Sequence, residues 1–323
     1  MLAAYAARSS AHEPLSALEI GERPEPEPPA GWATVLLTTA GLNHHDVWSL
    51  RGVGLPPDRL PMILGCDGAG LDEDGNEVIV HAVIASDGWT GDETLDPRRT
   101  LLSELHDGTL AEKVAVPRAN LVPKPSEMSW QTAACLSTAW LTAYRMLFTN
   151  AGLTPGATVL VQGAGGGVAT ALVQLGSAAG YRMWVTSRDE AKGAKAVDIG
   201  ADRAFESGAR LPERVDAVME TVGAATWSHS VNALNPGGTI VICGATSGDA
   251  PAKAELTKIF FKQLRVIGST MGTRSELERL AKFVASQGIQ PVIDSVFPLA
   301  GARDGFARLV DGEVFGKVVL TVA

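Results

Sequence analysis

Residues 158–180, TVLVQGAGGGVATALVQLGSAAG, constrain this chain more than any other stretch. An apolar, β-branched run passes into four glycines within five residues (163–167), then directly into a helical pattern ending at Gly180. A strand that turns through glycine into a helix lets backbone approach a pyrophosphate with no Cβ in the way. The helix N-terminus behind the turn offers unpaired N–H groups and a partial positive charge. Gly165, Gly166, Gly167 and Val168 are therefore assigned to the pyrophosphate of a dinucleotide. Ala169 stands where a third glycine usually permits close helix–strand packing, and alanine is a tolerated variant there.

The flanking segments alternate. RMWVTS (182–187), DAVMETV (216–222), GTIVICG (238–244) and LRVIGST (264–270) read as strands, with DEAKGAKAVDIG and WSHSVNAL as helices among them. Such alternation with short connections predicts a parallel sheet covered on both faces. Upstream, SEMSWQTAACLSTAWLTAYRMLF has helical spacing, with Ser126 as its expected cap. Downstream, ELERLAKFVASQG reads as an amphipathic helix and FGKVVLTVA as a closing strand. Residues 1–125 read as β-rich: apolar runs at 33–38 and 77–83 lie among Gly, Pro and Asp clusters. Residues 22–31 form a Pro-rich connector and 87–100 a polar loop.

A length of 323 residues suits two domains, and 46% hydrophobic with 20% charged residues is a folding composition rather than a disordered one. The net charge of −9 repels phosphate backbones, so nucleic acid is not an expected partner. No apolar run reaches the roughly 18 residues of a membrane span, and the N-terminus lacks the basic-then-apolar pattern of a secretory leader. Cys66, Cys135 and Cys243 are odd in number and far apart, which predicts free thiols and a cytoplasmic location. No C-x-x-C pair exists for a structural zinc knuckle.

The tip of the second strand selects the cofactor. Enzymes of the NAD type place an acid there, roughly 20 residues after the glycines. Here the tip is Thr186, Ser187 and Arg188, with Lys192 a helical turn further, while Asp189 and Glu190 follow on the helix start. A hydroxyl, a guanidinium and an ammonium suit a 2′-phosphate, so NADP(H) is expected over NAD(H). The same two cations would also be ordinary on a solvated helix face beside Asp189 and Glu190.

The segments AGLNHHDVWSLRG (40–52), PMILGCDGAG (61–70), GTLAEKVAVPRANLVPKP (108–125), DAVMETVG (216–223), LNPGGTIVICG (234–244), RVIGSTMGT (265–273) and FGKVVL (315–320) occur with the phosphate loop in one order. By these the chain resembles the medium-chain dehydrogenase/reductase superfamily over nearly its whole length, most closely its quinone oxidoreductase-like and enoyl-reductase-like branch. The resemblance implies an α/β fold. A GroES-like β-barrel domain (1–125 and 271–323) would carry substrate and catalysis, a Rossmann domain (126–270) the cofactor, and the active site would lie in the cleft. It also implies a homodimer.

In the zinc-dependent branch the metal is held by Cys, His and Cys with an acid nearby. Those positions fall on Asn43, Cys66 and Thr138, with Asp67 as the acid. Asn and Thr are poor zinc ligands, so no metal is expected. Asn43 and Asp46 match the N-x-x-D that non-zinc members carry near the nicotinamide. The catalytic candidates are Asn43, His45 (or His44), Asp46 and Thr138, a packing role remaining open for each histidine. Family position adds Asn43, Thr142, Glu220 to Gly223, Cys243, Gly244, Ala245, Gly268, Ser269, Thr270, Phe315 and Lys317 as cofactor contacts. The implied function is hydride transfer from NADPH to a quinone or an activated C=C acceptor, a small molecule, without zinc. The alternatives are an alcohol/aldehyde dehydrogenase of the same superfamily and a non-catalytic NADPH-binding sensor.

Overall fold

The computed structural model describes residues 1–322. The chain divides into two units: Met1–Leu141 with the residues from Met271 on, and Thr142–Thr270. The segment 126–141, expected with the central unit, belongs to the first. The reason is local: the Trp130 carbonyl accepts from Thr39 Oγ1, and Ser137 Oγ donates to the Val80 carbonyl. The cap of the helix Trp130–Ala133 is also not Ser126, whose hydroxyl donates to Glu127. Ser129 caps it, accepting from the Thr132 amide. Instead of one long helix, π-helical turns Leu136–Trp140 and Arg145–Asn150 flank a short α-helical turn at Leu141–Tyr144.

The first unit is built on the strand Trp32–Leu42. Its inward positions Ala33, Val35 and Leu37 are fully buried, as a half-buried strand requires. Lys113–Pro117 pairs along its first half, and Asp67–Leu71 and Lys317–Thr321 pair along its second, all antiparallel. The sheet continues through Glu77–Val80 and Leu121–Pro123 on one side and Ile293–Pro298 on the other. The register Val318↔Leu42 brings the end of the chain beside Asn43. Gly316 makes this approach possible: its φ is +102°, and a Cβ there would stand 2.3 Å from the Val292 carbonyl oxygen.

The second unit is a six-stranded parallel sheet in the order Arg203–Glu206, Arg182–Ser187, Thr158–Val161, Val215–Glu220, Leu234–Ile242, Arg265–Gly268. The direction of winding reverses after the third of these, beside the glycine loop, as in a Rossmann sheet. Leu160, Trp184, Val218 and Ile240 form its core. The helix Gly167–Ala178 lies close on the sheet because Gly176 leaves room for the Met183 sulfur.

Among the elements not expected from the sequence are the strands Arg203–Glu206 and Ile293–Pro298 and the helices His44–Leu50, Leu256–Phe261 and Ala302–Asp311. The strands are sheet edges fixed by their pairing rather than by their own residues. Among the described residues no helix is long and apolar enough to cross a membrane.

Candidate active site

In the second unit, the strand Thr158–Val161 ends at Gln162 and the chain turns at Gly163, whose φ is +87°. Gly166 caps the helix Gly167–Ala178 with no side-chain hydrogen bond, so the first helical N–H groups are open. A Cβ on Gly166 would meet nothing within 4 Å, which leaves a backbone cradle of the kind a pyrophosphate fills. The loop expected to bind the dinucleotide thus has the form the ligand needs.

At the tip of the second strand, Ser187 Oγ donates to the Asp189 carbonyl and accepts from the Asp189 amide. The Asp189 carboxylate caps the next helix, Glu190–Asp198, by accepting from the Lys192 amide. The acid nearest the tip is thereby committed to a helix end. Arg188 beside it is exposed and joins no ion pair among the described residues.

Behind this loop lies a buried network the sequence reading missed. Gln162 Oε1 accepts from Thr186 Oγ1 at 2.7 Å, and Gln162 Nε2 donates to Ser230 Oγ at 2.9 Å. Ser230 in turn donates to Glu220 Oε2 at 2.6 Å. The other Glu220 oxygen accepts from the amides of Val222 and Gly223 and from Thr226 Oγ1. Five polar side chains, from three strand ends and one helix, therefore satisfy one another and fix the carboxyl ends of those strands. Among the other expected cofactor residues of this unit, Gly244 and Ala245 follow the strand Leu234–Ile242, Ser269 Oγ accepts from Asn150 Nδ2, and Thr142 is buried.

The first unit gathers the expected catalytic residues. Asn43 precedes the helix His44–Leu50, and its amide donates to Asp46 Oδ2 at 2.8 Å. Asp46 Oδ1 accepts from the Gly65 amide. Asp46 is fully buried, and that burial pushes its carboxyl up to about 6, against the pull of His45, the Asn43 amide and Lys317. Lys317 was expected against the cofactor. Its three ammonium N–H groups go to the Leu42 carbonyl at 2.8 Å, Asn43 Oδ1 at 2.6 Å and Asp67 Oδ2 at 2.8 Å. Asn43 Nδ2 is buried and has no partner among the described residues.

His45 lies between two groups. Its Nδ1 is 3.5 Å from Cys66 Sγ and its Nε2 is 2.9 Å from Glu104 Oε1. The Cys66 thiol donates to the Leu102 carbonyl, so toward His45 the sulfur can only accept. With both ring nitrogens against acceptors, the surroundings favour the charged form of the ring. Burial works against that charge, but the Cys66 sulfur, Glu104 and Asp46 outweigh it and raise His45 well above its usual range. Burial holds the Cys66 thiol above its ordinary value, with His45 pulling it part of the way back. His44 is exposed. Thr138 sits in the π-turn Leu136–Trp140 with its hydroxyl buried and without a partner among the described residues, and the Phe315 amide donates to Asp294 Oδ1.

The donors do not suit zinc. Of the positions matching the metal ligands, only Cys66 is a strong one, and burial holds its thiol above the ordinary value. Among the described residues no three His, Cys, Asp or Glu side chains converge to hold a metal. A buried ammonium already sits on Asn43 and Asp67.

Residues 167–286 match the family described as zinc-binding dehydrogenase. The chain is 30% identical to the acryloyl-coenzyme A reductase of Metallosphaera sedula, over 94% of this chain and 96% of that one. It is 27% identical to the crotonyl-CoA carboxylase/reductase of Cereibacter sphaeroides, over 92% and 82%. Among solved structures, an NAD-dependent alcohol dehydrogenase superposes with a TM-score of 0.90 at 32% identity, over all of both chains. With the parallel sheet, the glycine cradle and these full-length similarities, the chain belongs to the medium-chain dehydrogenase/reductase superfamily and is an oxidoreductase of that type.

Proposed function

We propose that this enzyme uses NADPH to reduce the activated C=C of an α,β-unsaturated acyl thioester of the coenzyme A type, and that it does so without zinc. The observation that carries the reading is Asn43, a buried carboxamide held by its oxygen and open at its nitrogen. Such an N–H is a donor for a carbonyl oxygen on which negative charge develops. The full-length similarity to an acryloyl-coenzyme A reductase supports this acceptor class.

When bound, NADPH supplies the hydride, which adds to the β-carbon. Asn43 Nδ2 donates to the thioester oxygen as the C=C electrons move toward it. As an imidazolium, His45 gives its Nε2 proton to the α-carbon by leaving the contact with Glu104, which stabilises the charged ring until that step. Asp46 orients the loop through the Asn43 and Gly65 amides. Thr138 Oγ1 is a second donor without a partner among the described residues. The second unit holds the cofactor by Gly165, Gly166, Gly167 and Val168, and its 2′-phosphate by Ser187, Arg188 and Lys192.

A site that presents an imidazolium is supplied for delivering a proton rather than removing one, which favours reduction over alcohol oxidation. The alcohol dehydrogenase reading keeps one observation in its favour, the 32% identity to the solved structure. A homodimer and a cytoplasmic location complete the proposal. The first is supported by the exposed Leu256, Phe260, Phe261 and Val266 at the free sheet edge, the second by three unpaired cysteines.

The test is a comparison of acceptors on protein of measured metal content. Acryloyl-CoA and crotonyl-CoA should oxidise NADPH with kcat/KM at least about tenfold above a benzoquinone, with no dependence on zinc. Zinc-dependent oxidation of primary alcohols, with inert enoyl thioesters, would overturn the reading.

A further inference from the structure

We propose that Lys317 is a resident cation that leaves no room for a metal beside Asn43 and Asp67, and that it positions Asn43 so that the free amide N–H meets the substrate. Its ammonium is 2% exposed and its three donors are all used. A charge so desolvated persists only with a buried counter-charge, and Asp67, fully buried, supplies it. Two of the three acceptors, Asn43 and Asp67, stand where the zinc-dependent branch has its first ligand and its acid. A dication there would have to share those groups with a cation less than 3 Å from each.

The second consequence concerns Asn43. An amide whose oxygen accepts from an ammonium is polarised, and its N–H becomes a better donor. The hydrogen bond also settles which way the carboxamide faces, leaving Nδ2 as the buried group with no partner among the described residues. Lys317 itself touches no ligand in this scheme. It acts through Asn43 and is a positioning residue. The substrate part rests on the thioester reading, whereas the exclusion of a metal does not.

The experiment therefore has two arms, both on the full chain. In the first, Asn43→Cys with Thr138→Cys completes, with Cys66, a three-sulfur ligand set, and cobalt and zinc binding are measured by absorption and elemental analysis. No stoichiometric metal should bind while Lys317 is present, and about one ion per chain should bind once Lys317→Met is added. Tight metal binding with Lys317 in place, or none after its removal, would overturn the proposal. In the second arm, Lys317→Met is combined with Asp67→Asn, so that no lone charge is left buried, and crotonyl-CoA reduction is followed. We expect kcat to fall about tenfold or more with NADPH affinity unchanged, and the same pair to cause no further loss in an Asn43→Ala background. Multiplying losses would show that Lys317 does not act through Asn43. Absence of turnover in the unaltered enzyme would refute the thioester reading and leave the metal arm to decide the role of Lys317.

Discussion

His81 is fully buried, its Nε2 donating to the Gly272 carbonyl at 2.9 Å. Burial, with Arg274 nearby, pushes its pKa down from 6.5 to about 4, although the backbone hydrogen bonds and Glu276 work the other way. A base depressed in the fold contributes stability that is present above 6.5 and lost as pH falls toward 4, worth about 3 kcal/mol. Denaturant titrations should show His81→Gln less acid-sensitive than the unaltered protein over that window, and equal slopes would contradict it. Asp46 has the opposite sign. Its carboxyl is raised from 3.8 to about 6, so its share of stability is present below 3.8 and lost as pH rises through 6. For catalysis, His45 is the group to watch. With its pKa held well above 6.5, kcat should fall only on the alkaline side, and His45→Asn should remove that limb and leave a lower, flat rate. At the cofactor tip, Arg188→Ala should weaken NADPH by about tenfold or more and leave NADH unchanged, as loss of one charge-assisted bond to a 2′-phosphate predicts. Equal losses for both cofactors would show that Arg188 reads something else. At this scale the form of the glycine turn was legible, because backbone chemistry decides it. The sequence was not legible at Lys317, because nothing in FGKVVL says that the lysine turns inward to Asp67, 250 residues away. Glu104 was hidden for the same reason, since its partner His45 lies 59 residues upstream.

Elements were legible in proportion to how far their own residues determine them. The strands and helices around the phosphate loop carry their period in the sequence. The helix Arg274–Ser286 does too, and it adds a full capping box: Thr273 Oγ1 accepts from the Glu276 amide, and Glu276 accepts from the Thr273 amide. Thr273→Ala should cost about 1 kcal/mol, read as a lower denaturant midpoint with unchanged slope. No change would mean that packing alone holds this end of the helix. The strands Arg203–Glu206 and Ile293–Pro298 were invisible because they are half-exposed edges whose pairing is imposed by a neighbour. The run after Ser126 misled for another reason: helical spacing does not distinguish an α-helix from one broken twice by π-turns.

For the whole molecule, the sheet of the second unit ends in Arg265–Gly268, an edge strand with exposed Val266, and the neighbouring helix exposes Phe260 and Phe261. A bare edge beside stacked aromatic rings is a surface that a second copy of the chain would cover. Phe261→Glu should turn a dimer into a monomer in light scattering while leaving NADPH affinity in place. A monomeric unaltered protein would refute the dimer. Chemistry and assembly would then be separable, because the residues assigned to hydride and proton transfer lie elsewhere in the chain. The most direct test of that chemistry follows an isotope. Metal-stripped enzyme is given crotonyl-CoA and NADPH deuterated at both C4 positions, and the product is analysed by mass spectrometry and NMR. The account predicts butyryl-CoA with deuterium at the β-carbon and a solvent-derived proton at the α-carbon. Deuterium at the α-carbon, or product formed only after zinc is restored, would contradict it.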